Sequence, residues 1–218
     1  MKVTYEIENG KKVKVKTYVD GSVYKYDENG NEIYHKDNDG YERWYEYNSN
    51  GNCIHTKSNT GFETWSEYDA NGNRIHYKNS NGFEYLNDAN GNEIYYKDSD
   101  GYEEWREYDV NCNMVHYKNS YGFEEWHEYD VNCNMVHYTD NKGYEEWNEY
   151  DSNNHKIHYK DNGGWENWYD SNGNMNHSRC NDGYEYWAEF DSNRKEIHTW
   201  DTDGYEWFCD DYKERKAC

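Results

Sequence analysis

The chain has 218 residues and a formal net charge of −22, and it contains 27 Tyr and 10 Trp but one Leu and no Pro. Few aliphatic residues with a high net charge would indicate disorder, but each buried aromatic ring covers about 150–250 Å², so an aromatic core can replace an aliphatic one. The acidity argues against nucleic acid and anionic membranes as partners, since both are bound through Lys and Arg. It favours a basic partner, or it keeps the protein soluble.

The N-terminal segment, residues 1–20, is predicted to be a degenerate cap. It begins MKVTYEIENGKK, without the apolar core of an export signal, and no run of 18 apolar residues occurs in the chain. We therefore expect a cytoplasmic protein. The cysteines lack the spacing of a disulfide scaffold or a zinc ribbon, and we expect mostly free thiols. They are Cys53, Cys112, Cys133, Cys180, Cys209 and Cys218.

Residues 21–203 consist of nine tandem units, and residues 204–218 form a predicted C-terminal cap or tail. The consensus runs Gly-[Tyr/Phe]-Glu-x-Trp-x-Glu-Tyr-Asp-x-Asn-Gly-Asn-x-Ile-His-Tyr-Lys. Successive units are 21 residues apart in six cases and 19 in three. A deletion of two residues keeps the alternation of a strand, which supports strands. The unit glycines are Gly21, Gly40, Gly61, Gly82, Gly101, Gly122, Gly143, Gly164, Gly183 and Gly204.

Each unit contains two predicted strands, such as Tyr102–Tyr108 and Asn113–Lys118, separated by Asp-x-Asn-Gly turns. Tight turns at both strand ends predict an all-β fold in which tandem repeats form an antiparallel meander. The two-residue stagger between units predicts that the sheet coils. The alternative is a β-solenoid with one coil per repeat, in which equivalent residues would stack in parallel about 4.8 Å apart.

The odd repeat length constrains the turns. If both loops of a unit had the same parity, successive Trp residues would alternate between the faces of the sheet. Keeping them on one face requires one even and one odd loop, and we predict the even, two-residue loop at Asn111-Cys112. The resulting cross-strand pairs are Tyr108 with Val115, Glu107 with His116, and Trp105 with Lys118.

This pairing predicts a sheet with two chemically different faces. The first is a core layer, and the second is an amphipathic surface on which carboxylates flank Trp and a cation crosses it. The core layer is represented by Tyr102, Tyr108, Val115 and Tyr117. The amphipathic surface is represented by Glu103, Trp105, Glu107, His116 and Lys118.

The Tyr-Asp element recurs along almost the whole chain. Its copies are Tyr26-Asp27 with Gly30, Tyr68-Asp69 with Gly72, Tyr108-Asp109, Tyr129-Asp130, Tyr150-Asp151, Tyr169-Asp170 with Gly173, and Phe190-Asp191. The element resembles the YD repeats of Rhs-type proteins, in which Tyr-Asp-x-x-Gly recurs at a similar spacing. The resemblance implies strand-turn-strand units in a long coiled β-sheet and an association with bacterial toxin systems. Cys112 and Cys133 stand where those repeats have Gly.

Seven histidines occupy one register of the repeat. In a meander, equivalent strands lie about 9–10 Å apart, too far for neighbouring histidines to share a Zn²⁺ ion at about 2 Å, so we predict no metal site and assign each His as a cross-strand partner of Glu. The same spacing exceeds the reach of a Cys112–Cys133 disulfide and predicts exposed thiols in turns. The histidines are His55, His76, His116, His137, His158, His177 and His198.

Three Asp-x-Asp-Gly segments, at residues 37–40, 98–101 and 201–204, resemble the start of a calcium loop but lack its distal ligands, so we assign them as turns. No catalytic motif occurs, and we predict no enzyme and no cofactor. The predicted function is binding of a basic protein, most concretely as an acidic immunity-type inhibitor of a bacterial toxin. The alternative is a surface-displayed adhesin or structural repeat that binds glycan or host protein. The predicted binding residues are Trp44, Trp65, Trp105, Trp126, Trp147, Trp168, Trp187, Glu103, Glu107, Glu124, Glu128, Glu145 and Glu149.

Overall fold

The structure, a computed structural model, describes residues 1–209, which contain 21 β-strands and no helix. The strands are β1 (Lys2–Glu8), β2 (Lys11–Thr17), β3 (Val23–Tyr26), β4 (Glu32–Lys36), β5 (Glu42–Tyr47), β6 (Cys53–Ser58), β7 (Glu63–Tyr68), β8 (Arg74–Asn79), β9 (Glu84–Asn87), β10 (Glu93–Lys97), β11 (Glu103–Tyr108), β12 (Met114–Asn119), β13 (Glu124–Tyr129), β14 (Met135–Asp140), β15 (Glu145–Tyr150), β16 (Lys156–Asp161), β17 (Glu166–Tyr169), β18 (Met175–Arg179), β19 (Glu185–Phe190), β20 (Glu196–Asp201) and β21 (Glu206–Phe208). Of the predicted C-terminal segment, residues 210–218, including Cys218, lie outside the described residues.

The chain contains two compact units, the first formed by Met1–Arg106 with Asn119–Tyr121 and the second by Glu107–Lys118 with the residues from Gly122 onward. In the first unit, the strands from β1 to the start of β11 pair antiparallel in chain order. In the second unit, the strands from β12 to β21 do the same. The predicted all-β, tandem-repeat antiparallel meander is therefore confirmed, and the described ladders are not the parallel ladders of a solenoid.

The shorter repeats are shortened in their first strand. The strands β3, β9 and β17 have four residues each, whereas the corresponding strands of the longer units, such as β13, have six. Removing two residues preserves the direction of every side chain that remains. The meander therefore accommodates both repeat lengths.

The loops differ from the prediction, because both turns of a unit contain three loop residues. Cys112 N–H donates to the carbonyl of Asp109 at 3.1 Å, and Asp109 N–H donates to the carbonyl of Asn113 at 2.9 Å, which leaves residues 110–112 in the loop. The turn that follows β14 has the same pattern, from Asp140 to Tyr144. The predicted two-residue loop at Asn111-Cys112 is wrong.

A β-bulge supplies the missing change of parity. In the hairpin of β13 and β14, Glu128 lies opposite His137, but the next residue, Tyr129, lies opposite Met135, so Val136 is an extra residue. An inserted residue changes which face of the sheet the following side chains occupy, in the same way as an even loop would. Four further hairpins with a six-residue first strand show this shift at the same position. Because the bulge takes the residue equivalent to Val115 out of the pairing, the predicted partnership of that residue with Tyr108 fails in these equivalent hairpins.

The Asp of the Tyr-Asp element holds each turn. The carboxylate of Asp130 accepts hydrogen bonds from the backbone N–H of Asn132 and Asn134, at 2.8 and 2.9 Å, and from Asn134 Nδ2 at 2.9 Å. These hydrogen bonds, the side-chain bond first, lower the pKa of Asp130 below its ordinary value. The third loop residue takes positive φ, which is 65° at Cys133 and 81° at Gly173.

We expect Cys133→Gly to stabilise the protein. The left-handed conformation costs a non-Gly residue about 1–2 kcal/mol, and the greater chain entropy of Gly offsets part of this, so the expected net gain is about 0.5–1 kcal/mol. Urea denaturation followed by Trp fluorescence measures it. The matched control is Gly173→Ala, where an added Cβ meets nothing within 4 Å, so its expected loss of similar size is purely conformational.

The Tyr of the element ties one hairpin to the hairpin before it. The hydroxyl of Tyr150 donates to the carbonyl of Met135 at 3.1 Å, and the hydroxyl of Tyr129 donates to the carbonyl of Met114 at 3.0 Å. The same bond joins Tyr68 to Cys53, and it joins Tyr47, which is followed by Asn48 instead of Asp, to Glu32. Tyr and Asp therefore have different roles, since Asp closes a turn and Tyr links successive hairpins.

Burial of these Tyr rings makes stability depend on alkaline pH. Burial raises the pKa of Tyr47 from 10.0 to about 12. The folded state therefore favours the neutral phenol, so this contribution is complete below pH 10 and is lost as the pH rises toward 12. We expect the urea midpoint to fall over that interval, and to fall less in Tyr47→Phe than in the unmodified protein. An equal fall in both proteins would contradict this assignment.

The two faces of the sheet are sorted as predicted. In the second unit, Trp126, Glu128 and His137 share one face, whereas Glu125 and Tyr138 lie on the other. The latter face, the core face, buries small residues among Tyr rings, including the cross-strand pair of Thr56 with Thr64 and the pair of Ala188 with Thr199. Elsewhere in the described chain, Val13, Val15 and Cys209 are the other buried hydrophobic residues.

Candidate binding surface

The face opposite the core face, here named the Trp face, carries one arrangement of Trp, His and Glu in successive hairpins. It comprises the Trp of each Glu-x-Trp strand, the two Glu residues that flank this Trp, and the His of the following strand. In the hairpin formed by β14 and β15, His137 lies opposite Trp147, and the two ring centroids are 5.4 Å apart. The pairs His55–Trp65 and His116–Trp126 are stacked at the same 5.4 Å distance.

Six of the seven repeat His residues lie between carboxylates from the two neighbouring strands, whereas His177, which follows the trimmed strand β17, contacts the carboxylate of Glu185 and has Trp168 on its other side. Nε2 of His137 is 2.9 Å from Oε1 of Glu145, and its Nδ1 is 3.6 Å from Oε1 of Glu128. Because a carboxylate only accepts, we place a proton on Nε2. The Nε2–carboxylate distance is 2.7–3.2 Å at His55, His76, His116, His158, His177 and His198. The prediction that His is the cross-strand partner of Glu is confirmed.

The two Glu residues of each strand have different environments. The first, such as Glu124 or Glu145, is partly covered and holds a His ring at 2.9 Å. The second is largely exposed, with 66–73% of its side chain accessible at Glu107, Glu128 and Glu149. The second Glu is therefore the residue type that presents charge to a partner.

Cations from the preceding strand also contact the first Glu in the N-terminal part of the chain. Lys36 pairs with Glu42 and Lys57 with Glu63, both at 2.9 Å. The hydrogen bond from Lys36 lowers the pKa of Glu42, and those from Lys57 and then His55 lower the pKa of Glu63. Both carboxylates stay ionised near neutral pH. The predicted residue Glu103 has the same kind of partner, Lys97, at 2.6 Å.

Several Trp rings carry a cation over one side, as predicted. The ammonium of Lys160 lies 4.8 Å from the centroid of Trp147, and that of Lys78 lies 5.6 Å from the centroid of Trp65. Trp126 lies opposite Thr139 and is 40% exposed. The predicted Trp44 and Trp105 lie beside a Tyr instead of a His, with centroid distances of 5.6 Å to Tyr34 and 5.8 Å to Tyr95.

The second unit ends in a continuous stack of rings that the sequence analysis missed. Trp168 lies 4.3 Å from His177, His177 lies 5.0 Å from Trp187, and Trp187 lies 5.9 Å from Trp200. His198 continues the stack, 4.6 Å from Trp200 and 3.9 Å from Phe208. The short repeat explains the close approach at its start, because the trimmed strand places Trp168 directly opposite His177. A Trp at residue 200, where most other units have Lys, was the available signal.

The arrangement repeats along the Trp face instead of forming one distinct site. Each His of a long unit lies between two carboxylates, whereas acid–base catalysis needs two groups in environments that separate their pKa values. Among residues 1–209, no group of three or more His, Cys, Asp or Glu residues is placed to hold a metal ion. The described cysteines are free thiols, and those at 112 and 133 are exposed in their turns, as predicted.

Comparison with known proteins gives similarity in fold alone. No protein-family model matches the chain, and no curated protein matches it in sequence. Among solved structures, a crystal structure of TcdB2-TccC3-TEV has a TM-score of 0.46 at 10% identity, over 94% of this chain and 14% of that one. TcdB2-TccC3 without its hypervariable C-terminal region gives 0.44 at 10% identity, over 91% and 13%.

A Photorhabdus luminescens Tc holotoxin pore structure gives a TM-score of 0.35 at 10% identity, over 94% of this chain and 16% of that one. The chain thus spans a small part of the structures it matches. A likeness of this size supports no statement about partners. The tandem β-repeat that the Rhs-type resemblance implies is what the structure shows, and membership of that family stays a prediction. No helix in the described residues is long and apolar enough to span a membrane.

Proposed function

We propose that the chain is a non-catalytic binding protein that holds a basic protein partner on its Trp face. The observation that carries the proposal is the repetition there of an exposed Glu beside a Trp–His pair, at Glu107, Glu128 and Glu149. Trp supplies large contact area with little loss of side-chain entropy, and Trp and Tyr are the residues most enriched at the centres of protein interfaces. A partner suited to this surface carries basic side chains for the Glu residues and apolar or cationic groups that pack on the Trp rings.

The net charge supports a basic partner over a neutral one. The chain has 45 acidic and 23 basic residues, and it carries −22 at pH 7. Such a field speeds encounter with a basic protein and slows encounter with an acidic one. The most concrete form of the proposal is an acidic, immunity-type inhibitor of a basic bacterial toxin, which would be held in an inactive complex by charge and aromatic contacts.

The exposed Glu residues are expected to control the association rate. Replacing Glu107, Glu128 and Glu149 together by Gln should slow association with a basic partner about tenfold at low salt and much less at high salt. A matched control, Asp39→Asn with Asp100→Asn and Asp203→Asn, makes the same change of charge at exposed turn positions. Biolayer interferometry against a panel of purified basic domains, nuclease toxins included, measures both rates.

The panel also separates this function from its rival. Binding that both triple variants retain equally, or that is insensitive to salt, would contradict the proposal. Binding to a glycan array without salt dependence would favour the adhesin alternative. Loss of binding in the Glu variant alone, with the circular dichroism spectrum unchanged, supports the Trp face as the contact surface.

A further inference from the structure

The first hairpin of the protein is basic, in contrast to the remainder. Residues 1–26 contain six Lys and three acidic residues, whereas the whole chain has an excess of acidic residues. The hairpin consists of β1 and β2, paired over seven residues from Lys2↔Thr17 to Glu8↔Lys11. A local positive charge on a protein of net charge −22 has no explanation in the proposed contact with a basic partner.

Three of these lysines form a row on one face of β2. Lys12, Lys14 and Lys16 are alternate residues of an extended strand, so their Cα atoms are about 7 Å apart and their side chains leave the same side. Together with Tyr5 and Tyr26 they line a cleft of about 540 Å³. Lys12 lies 4.5 Å from the centroid of Tyr5, and Lys16 lies 4.5 Å from that of Tyr26.

The acidic groups near the row have other partners. Glu6 and Glu8 lie on the opposite face of β1, where both pair with Lys25. At the rim of the cleft, the carboxylate of Asp27 accepts from Asn31 and from the turn backbone, and Glu28 accepts from the backbone N–H of Lys12 at 3.3 Å. Within residues 1–209, none of the three row lysines forms an ion pair with a carboxylate.

The strand beside the row has an open edge. In the described chain β1 pairs with β2, and its other edge has no strand ladder. Val3, Tyr5 and Ile7 lie opposite the three lysines on the same face, and they are 42–70% exposed. An exposed seven-residue edge with apolar side chains is a surface to which an extended segment can add.

We propose that this hairpin binds an extended acidic peptide, which adds as a strand to the edge of β1 and places carboxylates toward Lys12, Lys14 and Lys16. Alternate residues of a bound strand repeat at the same spacing as the lysines, about 7 Å, so Asp or Glu at every second position matches the row in both charge and period. On this face Val3, Tyr5 and Ile7 lie between the bound strand and the lysine row, so the aliphatic stems of the Glu and Lys side chains pack over them, and the intervening peptide side chains leave the opposite face. The peptide belongs to another protein, because strands of this chain that are rich in Glu, such as β13 and β15, already pair along both edges.

Fluorescence anisotropy with a labelled peptide of alternating Glu and Val tests the site on the full chain. Lys14→Gln with Lys16→Gln should raise the dissociation constant about tenfold, and Lys2→Gln with Lys11→Gln, the same charge change on the opposite face of the hairpin, should raise it less than about threefold. N-methylation of alternate peptide amides should weaken binding in one register and spare it in the other.

Three results would overturn the proposal: no binding at low salt, equal losses in both double variants, or indifference to N-methylation in either register. Analytical ultracentrifugation of the chain alone tests the source of the peptide. A monomer that binds the Glu and Val peptide is the expected result. Self-association that this peptide reverses, and that Lys14→Gln with Lys16→Gln abolishes, would place a second copy at the site and overturn the assignment to another protein.

Discussion

Deleting Glu128 alone is expected to prevent normal folding of the second unit, whereas deleting His127 and Glu128 together is expected to leave it folded. Deleting Glu128 alone turns Tyr129, the residue of β13 that follows it, to the Trp face and shifts the turn against β14, so the register of this hairpin is lost. The two-residue deletion converts a 21-residue repeat into the 19-residue form that β17 already has. We expect its cost to be about 1–2 kcal/mol, in the range of ordinary substitutions.

Thermal unfolding followed by far-ultraviolet circular dichroism measures the difference. The double deletion should keep one cooperative transition a few degrees below that of the parent protein, and the single deletion should lose cooperativity or be recovered as aggregate. The double deletion is itself the matched control, because it removes more chain and yet should do less harm. Equal damage from both deletions would contradict the alternation on which the meander depends.

Tyr150→Ala is expected to destabilise the protein by about 3 kcal/mol, and Tyr150→Phe by about 1 kcal/mol. The larger change removes a half-buried ring as well as the hydroxyl that donates to the carbonyl of Met135, and the smaller removes the hydroxyl alone. Burial also raises the pKa of Tyr150, which agrees with a ring held in the structure as the neutral phenol. Urea denaturation at neutral pH measures both losses.

The control for this pair is Tyr205→Ala, because the ring of Tyr205 is 57% exposed. Its expected loss is within about 0.5 kcal/mol, as for most surface positions. If Tyr150→Phe were neutral, the hydroxyl would not link the hairpins, and the Tyr of the Tyr-Asp element would serve only as a core ring. If Tyr205→Ala cost as much as Tyr150→Ala, the two Tyr environments would be misassigned.

The sequence predicted the strands and their faces closely. The expected strands Tyr102–Tyr108 and Asn113–Lys118 correspond to β11, Glu103–Tyr108, and β12, Met114–Asn119. This succeeded because turn chemistry fixes the ends of each strand and alternation fixes its facing, and both are local properties. The pairing of each His with Glu followed from the same register.

The loops could not be predicted from the same information. The repeat length determines only whether the total number of loop and bulge residues is even or odd. A two-residue loop and a three-residue loop with one bulge residue both give an even total, so the sequence does not distinguish them. The structure shows that the chain uses the second solution, with Val136 as an extra residue. Side-chain contacts between hairpins, such as the hydrogen bond from the Tyr150 hydroxyl to the Met135 carbonyl, could not be predicted from the sequence either, because they depend on how the hairpins pack.

The candidate binding surface was predicted in composition but not in detail. Each predicted Trp and Glu lies on the expected face, yet the two Glu positions of a strand are not equivalent. The carboxylate of Glu145 contacts His137, whereas Glu149 is largely exposed. The basic row of β2 was overlooked because the total charge of the chain conceals a short segment of opposite sign.

Photo-crosslinking from adjacent positions tests the proposed use of the Trp face most directly. Trp126 and His127 are neighbours in β13, but their side chains leave opposite faces of the sheet. A benzophenone amino acid at position 126 should crosslink to a bound basic partner, and the same group at position 127 should not, in variants with unchanged circular dichroism spectra. Crosslinking from position 127 alone, or from neither position in a complex that forms, would contradict the assignment of the partner to the Trp face.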